Sequence, residues 1–203
     1  FLIRKLPCGK KVMEDRVKSL FKQNIEVTLN TALSLDTNTI SSIVLAAKQM
    51  AVCLRNGGKI LVCGNGGSFA ESHHFAGEFI GRFKVNRAPY PVIALGGNGA
   101  ALTAIGNDYS YEDVFSREVE AFGRKNDILF AMSTSGNSPN VLLAARKARK
   151  KEMTTIGLLG KKGGLRELSD IPIMVDSQDT PRIQEVHQLI IHIIAELVEE
   201  ILY

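Results

Sequence analysis

In the stretch FAESHHFAGEF, His74 and Glu78 stand four residues apart, so on a helix they share one face and can serve together as metal ligands or as an acid and a base. A pair like this, taken alone, is more often a surface ion pair. A second polar row, Gln184, Gln188 and His192, recurs at intervals of four near the C-terminus. On a helix of ~3.6 residues per turn it spans about 80° of arc. Gln188 and His192 lie within VHQLIIHIIAELV, so apolar a segment that its polar residues need partners when buried. His192 is therefore either a satisfied core histidine or one member of a convergent group. Two loops complete the set. Gly64-Asn65-Gly66-Gly67-Ser68 follows KILVC, and Ser133-Thr134-Ser135-Gly136-Asn137-Ser138 follows DILFAM and precedes Pro139. Small residues let the backbone approach an anion, a helix N-terminus beyond them directs N–H groups at it, and the hydroxyls add donors. The composition predicts a phosphate cradle. No Gly-Lys-Ser/Thr follows the first loop and its glycines do not fit G-x-G-x-x-G, which disfavours a nucleotide.

These residues need a scaffold, and the apolar pattern supplies one. KILVC (59–63), PVIAL (91–95), DILFAM (127–132), TTIGLL (154–159) and IPIMV (171–175) are short unpatterned runs, as in strands buried on both faces. Helical stretches alternate with them, so right-handed crossovers and a doubly wound five-stranded parallel α/β sheet flanked by helices are expected. Ligands of such sheets bind beyond the carboxyl ends of the strands, where both loops lie. Ahead of the sheet, Val17, Leu20, Phe21, Ile25, Leu29, Ala32 and Leu33 mark a helix over 14–35. A second helix follows Asp36-Thr37 and stops at Asn56-Gly57-Gly58, making an N-terminal helical hairpin. The chain reads as one domain over 1–203, with a helical extension at 1–58 and an α/β core at 59–203. The last helix, from about Pro181 to Tyr203, is apolar all round and reads as a subunit interface or as an internal core helix.

Composition narrows the function. Hydrophobic residues make 45% and charged residues 23% of the 203, the balance of a globular domain and not of a disordered one. The net charge of +4 suits an anionic small molecule. The basic groups Arg4, Lys5, Lys10, Lys11 and Arg146 to Lys151 lack interleaved aromatics and read as solvated faces, so no nucleic acid is expected. Cys8, Cys53 and Cys63 have no C-x-x-C spacing, which supports neither a disulfide framework nor a thiolate zinc site. No apolar run has the length of a membrane span, and FLIRKLPCGKK lacks the apolar region of a signal peptide. A cytoplasmic location with no membrane partner is the expectation.

Taken in order, GNGGS, then His74 and Glu78, AIGND at 104–108, STSGNS, and RIQE at 182–185 with His192 resemble the phosphoheptose isomerases of the sugar isomerase (SIS) domain superfamily. The resemblance covers most of the chain. It implies conversion of sedoheptulose 7-phosphate to D-glycero-D-manno-heptose 7-phosphate, an aldose-ketose isomerisation through an enediolate that leads to bacterial surface heptose, in lipopolysaccharide or capsule. It further implies that Ser133, Thr134, Ser135 and Ser138 hold the phosphate, that Asn65, Gly66, Gly67, Ser68, Asn107, Asp108 and Gln184 line the sugar, and that Glu78 and His192 are catalytic. His74, Glu78, Gln184 and His192 match positions that bind zinc in some members, which implies one zinc per subunit. The family also implies a homotetramer with sites shared between subunits. A non-catalytic relative, a tetramer that binds the bacterial replication initiator, is the alternative; it lacks counterparts of Glu78 and His192, both present here. Phe69, His73 and the glycine-rich Gly96-Gly97-Asn98-Gly99 depart from the family pattern and bear on substrate preference. His73 lies about 100° round the helix from His74, which keeps His74 as the ligand.

Overall fold

A computed structural model describes residues 9–203, so Arg4, Lys5 and Cys8 lie outside the described residues. Helix α1 (Lys10–Leu33) starts earlier than the apolar spacing predicts and ends at Ser34, whose backbone N–H bonds back to Asn30. Asp36 caps α2 (Thr37–Arg55), its carboxylate accepting from the Thr39 N–H at 2.7 Å. Five strands follow at the expected runs: β1 (Ile60–Cys63), β2 (Val92–Ala94), β3 (Ile128–Ser133), β4 (Thr154–Leu159) and β5 (Ile171–Met174). The connecting helices are α3 (Gly67–Ile80), α4 (Gly99–Asp108), α5 (Val114–Phe122), α6 (Pro139–Lys150) and α7 (Leu165–Leu168), and α8 (Thr180–Leu202) ends the chain.

All strand pairs are parallel, in the order β2-β1-β3-β4-β5. Successive side chains of a strand face opposite sides, and the two sides here form two cores. Ile60, Val62, Phe130 and Met132 meet α2, α3 and α8 through Met50, Phe75, Phe79, Ile190 and Ile194. Leu61, Leu129 and Ala131 meet α5 and α6 through Phe115, Val119, Val141 and Ala145. Burial on both faces explains why the strands read as continuous apolar runs. From β1 the chain winds outward to β2, then returns to the other side of β1 as β3. That reversal opens a crevice beyond the carboxyl ends of β1 and β3, the two strands that carry the small-residue loops.

The hairpin helices differ in their burial. Eight residues of α2 are buried, but α1 buries none and rests on α8, leaving Val17, Leu20, Phe21, Ile25, Leu29 and Leu33 exposed. Among the described residues, most of the apolar spacing that marks α1 as a packing helix is therefore left uncovered, although the helix touches α8. Helix α8 is covered over most of its circumference by its own chain, with Leu189 and Ile193 open. Among the described residues no helix is long and apolar enough to cross a membrane. Cys53 and Cys63 are buried free thiols, which burial pushes up to about 11 and about 12, so neither is a thiolate at neutral pH.

His187 lies in the α8 core face at 0% exposure, with neither ring nitrogen in a hydrogen bond. Burial pulls its pKa down to about 4, opposed by the Leu159 carbonyl. The folded pKa lies below the unfolded value near 6.5, so the unfolded chain binds the proton first. The stability tied to neutral His187 is thus whole above pH ~6.5 and is lost as pH falls toward 4, by at most about 1.4 kcal/mol per pH unit. Urea denaturation at stepped pH is expected to show this fall, and His187→Leu to flatten it; an equal slope in the variant refutes the assignment.

Candidate active site

Helices α3 and α8 bring the two polar rows together. The Nε2 of His74 lies 3.0 Å from the Glu78 carboxylate and 2.8 Å from the Nε2 of His192, and the two rings stand 5.0 Å apart. Ligand atoms of His74, Glu78 and His192 all fall within 4.8 Å of one another, a group able to hold a metal ion. The chemistry of this donor set fits one. Two imidazole nitrogens that face each other have two lone pairs and room for one proton between them. A cation would satisfy both together with the carboxylate, and two nitrogens with one oxygen suit zinc. The side chain of Gln188 also reaches His192, Nε2 to Nε2 at 3.0 Å, and a half-turn of its amide would present the oxygen instead. The Phe83 ring lies against His192, with centroids 5.5 Å apart.

The second cluster lies at the strand ends. Ser133 Oγ is 3.0 Å from Ser138 Oγ and 3.4 Å from Ser135 Oγ, and Ser135 accepts from the Asn137 N–H at 3.2 Å. Thr134 is half-buried beside them. Gly136 has φ +66°, and a side chain there would collide with the Lys162 carbonyl, so the turn admits only glycine. Helix α6 opens with Ser138 as N-cap and Pro139 in its first turn, the side chain of Ser138 making no cap bond. The hydroxyls cluster at the positive end of the helix, where an anion is favoured. Asn65 joins this loop to the one after β1 through a reciprocal amide pair with buried Asn140, at 2.8 and 3.0 Å. Tyr111 adds a hydroxyl bond to Asn65 at 3.2 Å.

The other expected site residues are placed as follows. Gly66 and Gly67 are exposed at the start of α3, and the Gln184 amide lies so close over Gly67 that any side chain there would overlap it. Gln184 is therefore held at the loop end of α3, while Gln188 stands beside His192. Ser68 is buried behind the loop. Asn107 and Asp108 are exposed at the end of α4 and bond to each other at 2.8 Å, without a hydrogen bond to either cluster. His73 turns away from His74, taking a 3.0 Å bond with the Phe69 carbonyl and stacking on the Phe69 ring at 4.3 Å. Sequence reasoning missed Asn140, Tyr111, Phe83 and Glu71, and passed over Gln188 as a ligand. Glu71, on α3, is buried with one carboxylate oxygen unpartnered; burial raises its pKa to about 7, against the Ser68 bond that lowers it. An acid in FAESHH is a visible signal, but its burial is not.

From Gly67 to His74 the rise along α3 is about 10 Å, so one extended ligand can touch the strand-end loops and the imidazoles together. The SIS domain family pattern matches residues 23–160. The phosphoheptose isomerase of Clostridium acetobutylicum is 44% identical over 195 residues, covering 96% of each chain. That of Campylobacter concisus is 47% identical over 185 residues, 91% of this chain and 97% of its own. Solved structures of phosphoheptose isomerases from Francisella tularensis and Neisseria gonorrhoeae superpose with TM-scores of 0.83 and 0.81 at 38% and 39% identity, covering 93% of this chain and 98% and 99% of theirs. With this likeness along nearly its whole length, the chain belongs to the phosphoheptose isomerase family of SIS domain proteins.

Proposed function

We propose that the protein isomerises sedoheptulose 7-phosphate to D-glycero-D-manno-heptose 7-phosphate, supplying heptose for bacterial surface glycans from the cytoplasm. One observation carries the reading: a carboxylate and two imidazoles from α3 and α8 converge within reach of a single ion, in a chain that also clusters hydroxyls at the carboxyl end of β3. Ser133, Thr134, Ser135 and Ser138 hold the phosphate, with the α6 N-terminus behind them. Asn65, Gly66, Gly67, Asn107, Asp108 and Gln184 line the sugar, and buried Ser68 supports the loop from beneath.

The reaction moves a proton between C1 and C2 through an enediolate, which needs a base within reach of both carbons and an acid for the two oxygens. Glu78 takes the proton from C1 of the ketose and returns it to C2. His192 shuttles the proton between the oxygens, its ring in contact with Phe83 and its Nε2 with Gln188. His74, Glu78 and His192 would hold one zinc ion per subunit, with Gln184 as the fourth donor implied by the family and Gln188 the glutamine that lies beside His192 here, and Glu78 would alternate between ligand and base. When bound, the ion would stabilise negative charge on the sugar oxygens.

The exposed apolar face of α1, with Leu189 and Ile193 of α8, supports self-association into a homotetramer with sites shared between subunits. The presence of both Glu78 and His192 weighs against the non-catalytic, initiator-binding alternative.

Incubation with sedoheptulose 7-phosphate is expected to yield the aldose, and a chelator to slow the reaction; no turnover with or without zinc sinks the reading. Glu78→Gln is expected to lower kcat by about 10²–10⁴-fold while the phosphate ester still binds in calorimetry. Near-normal turnover in that variant removes Glu78 as the base. Sizing by light scattering is expected to show an assembly, and a fully active monomer refutes the self-association.

A further inference from the structure

Beyond the residues that face the ligand, the last turns of α8 carry a second polar group joined to the same helix. Glu199 is 2% exposed, and its carboxylate accepts from three consecutive backbone N–H groups, Phe83 at 3.2 Å, Lys84 at 2.8 Å and Val85 at 3.0 Å. It also accepts from Arg87 Nε at 2.8 Å. Burial alone would raise the Glu199 pKa, but these donors hold it below the ordinary carboxylate value, so the group is charged at neutral pH. Arg87 is as deeply buried, and its guanidinium spends its other donors on the end of α3. Nη2 bonds the Glu78 carbonyl and Nη1 the Phe79 carbonyl, both at 2.8 Å. The guanidinium is also stacked over the Tyr90 ring, 4.8 Å from its centroid.

Helix ends leave carbonyls without intrahelical partners, and here a buried cation takes two of them, one belonging to the residue that carries the base. The segment that Glu199 grips carries Phe83, whose ring lies against His192. Glu199 is two turns beyond His192 on the same helix, so a single rigid element bears the acid and the clamp. We infer that Glu199 and Arg87 are positioning residues of this site, fixing the last turn of α3, with Glu78, and the 83–85 segment, with Phe83, to the helix that holds His192. The inference rests on the isomerase reading of the site. Neither residue touches substrate, and their effect passes through Glu78 and His192.

The test uses the full chain. Arg87→Lys keeps a cation opposite Glu199 but loses the paired bonds to the Glu78 and Phe79 carbonyls. Since small misplacements of reacting groups are felt in rate, kcat is expected to fall about ten-fold with KM changed less than about two-fold, because the phosphate cradle stands on other loops. An unchanged kcat overturns the inference. So does a loss that vanishes once activity is expressed per folded, assembled subunit, which would leave Arg87 a purely structural role. Should Arg87→Lys not fold, Phe83→Leu leaves the clamp intact and removes only the ring against His192. It is expected to shift the pH profile of kcat at unaltered KM, and an unshifted profile counts as refutation. If the unaltered protein does not isomerise the sugar at all, the isomerase reading fails separately, and the positioning is read by NMR of the four histidine rings. Arg87→Lys is then expected to move the signals of His74 and His192 and leave those of His73 and His187; four unmoved rings overturn it.

Discussion

The alignment of α3 with α8 is the constraint on which the site depends. The two helices lie side by side in the same direction, and their contacts advance together: Gln184 over Gly67, His192 against His74 and Glu78, Glu199 on the segment just beyond α3. Phe75 and Phe79 of α3 share one core with Ile190, Ile191 and Ile194 of α8, each such side chain contributing about 1.5–3 kcal/mol on burial. Packed interiors do not deform continuously, so fixing the apolar seam fixes the polar row along its edge. The imidazoles meet because the isoleucines and phenylalanines behind them have one good packing.

The charges follow the same division. Two pairs in the interior are closely bonded, Arg87 with Glu199 and Lys59 with Asp127 at 2.5 Å. Removing one partner of such a pair would leave the other desolvated, so they act as fixed points of the scaffold. His74, by contrast, keeps 44% of its side chain exposed, and Glu78 keeps 21%, as groups that must meet a ligand do. Among the described residues, α1 exposes an apolar row that its own chain leaves uncovered.

Strands, helices and their order were legible because each is a local pattern: continuous apolar runs for β1 to β5, a capping aspartate at Asp36, glycines after Asn56. The pairing of His74 with Glu78 was legible for the same reason, since a spacing of four settles a helical face. Its meeting with His192 followed from the improbability of polar residues in so apolar a helix, together with the family resemblance. Where spacing alone does not decide, the reading stopped short. Gln184 and Gln188 are equivalent in the pattern, yet only contact with α3 shows that one lies over Gly67 and the other beside His192. Asn140, Phe83, Arg87 and Glu199 carry no local signature, because their roles come from partners remote in the chain. Glu199 in particular resembles any acid near a helix end until its three N–H donors are seen.

On the proposed reading, binding and chemistry stand on separable supports that share one element. The cradle depends on the loops after β1 and β3, locked together by the Asn65 and Asn140 amides and by the turn at Gly136. The imidazole and carboxylate group depends on the middle of α3 and α8, and on the clamp beyond it. Only the first turn of α3 belongs to both, since Gly67 leaves the cradle loop and meets Gln184 at once. A rigid helix of about 1.5 Å rise per residue then sets how far the anion end stands from the reactive end. The length of ligand that can satisfy both is a property of that helix, and a side chain at Gly67 would displace the Gln184 amide that now lies over it.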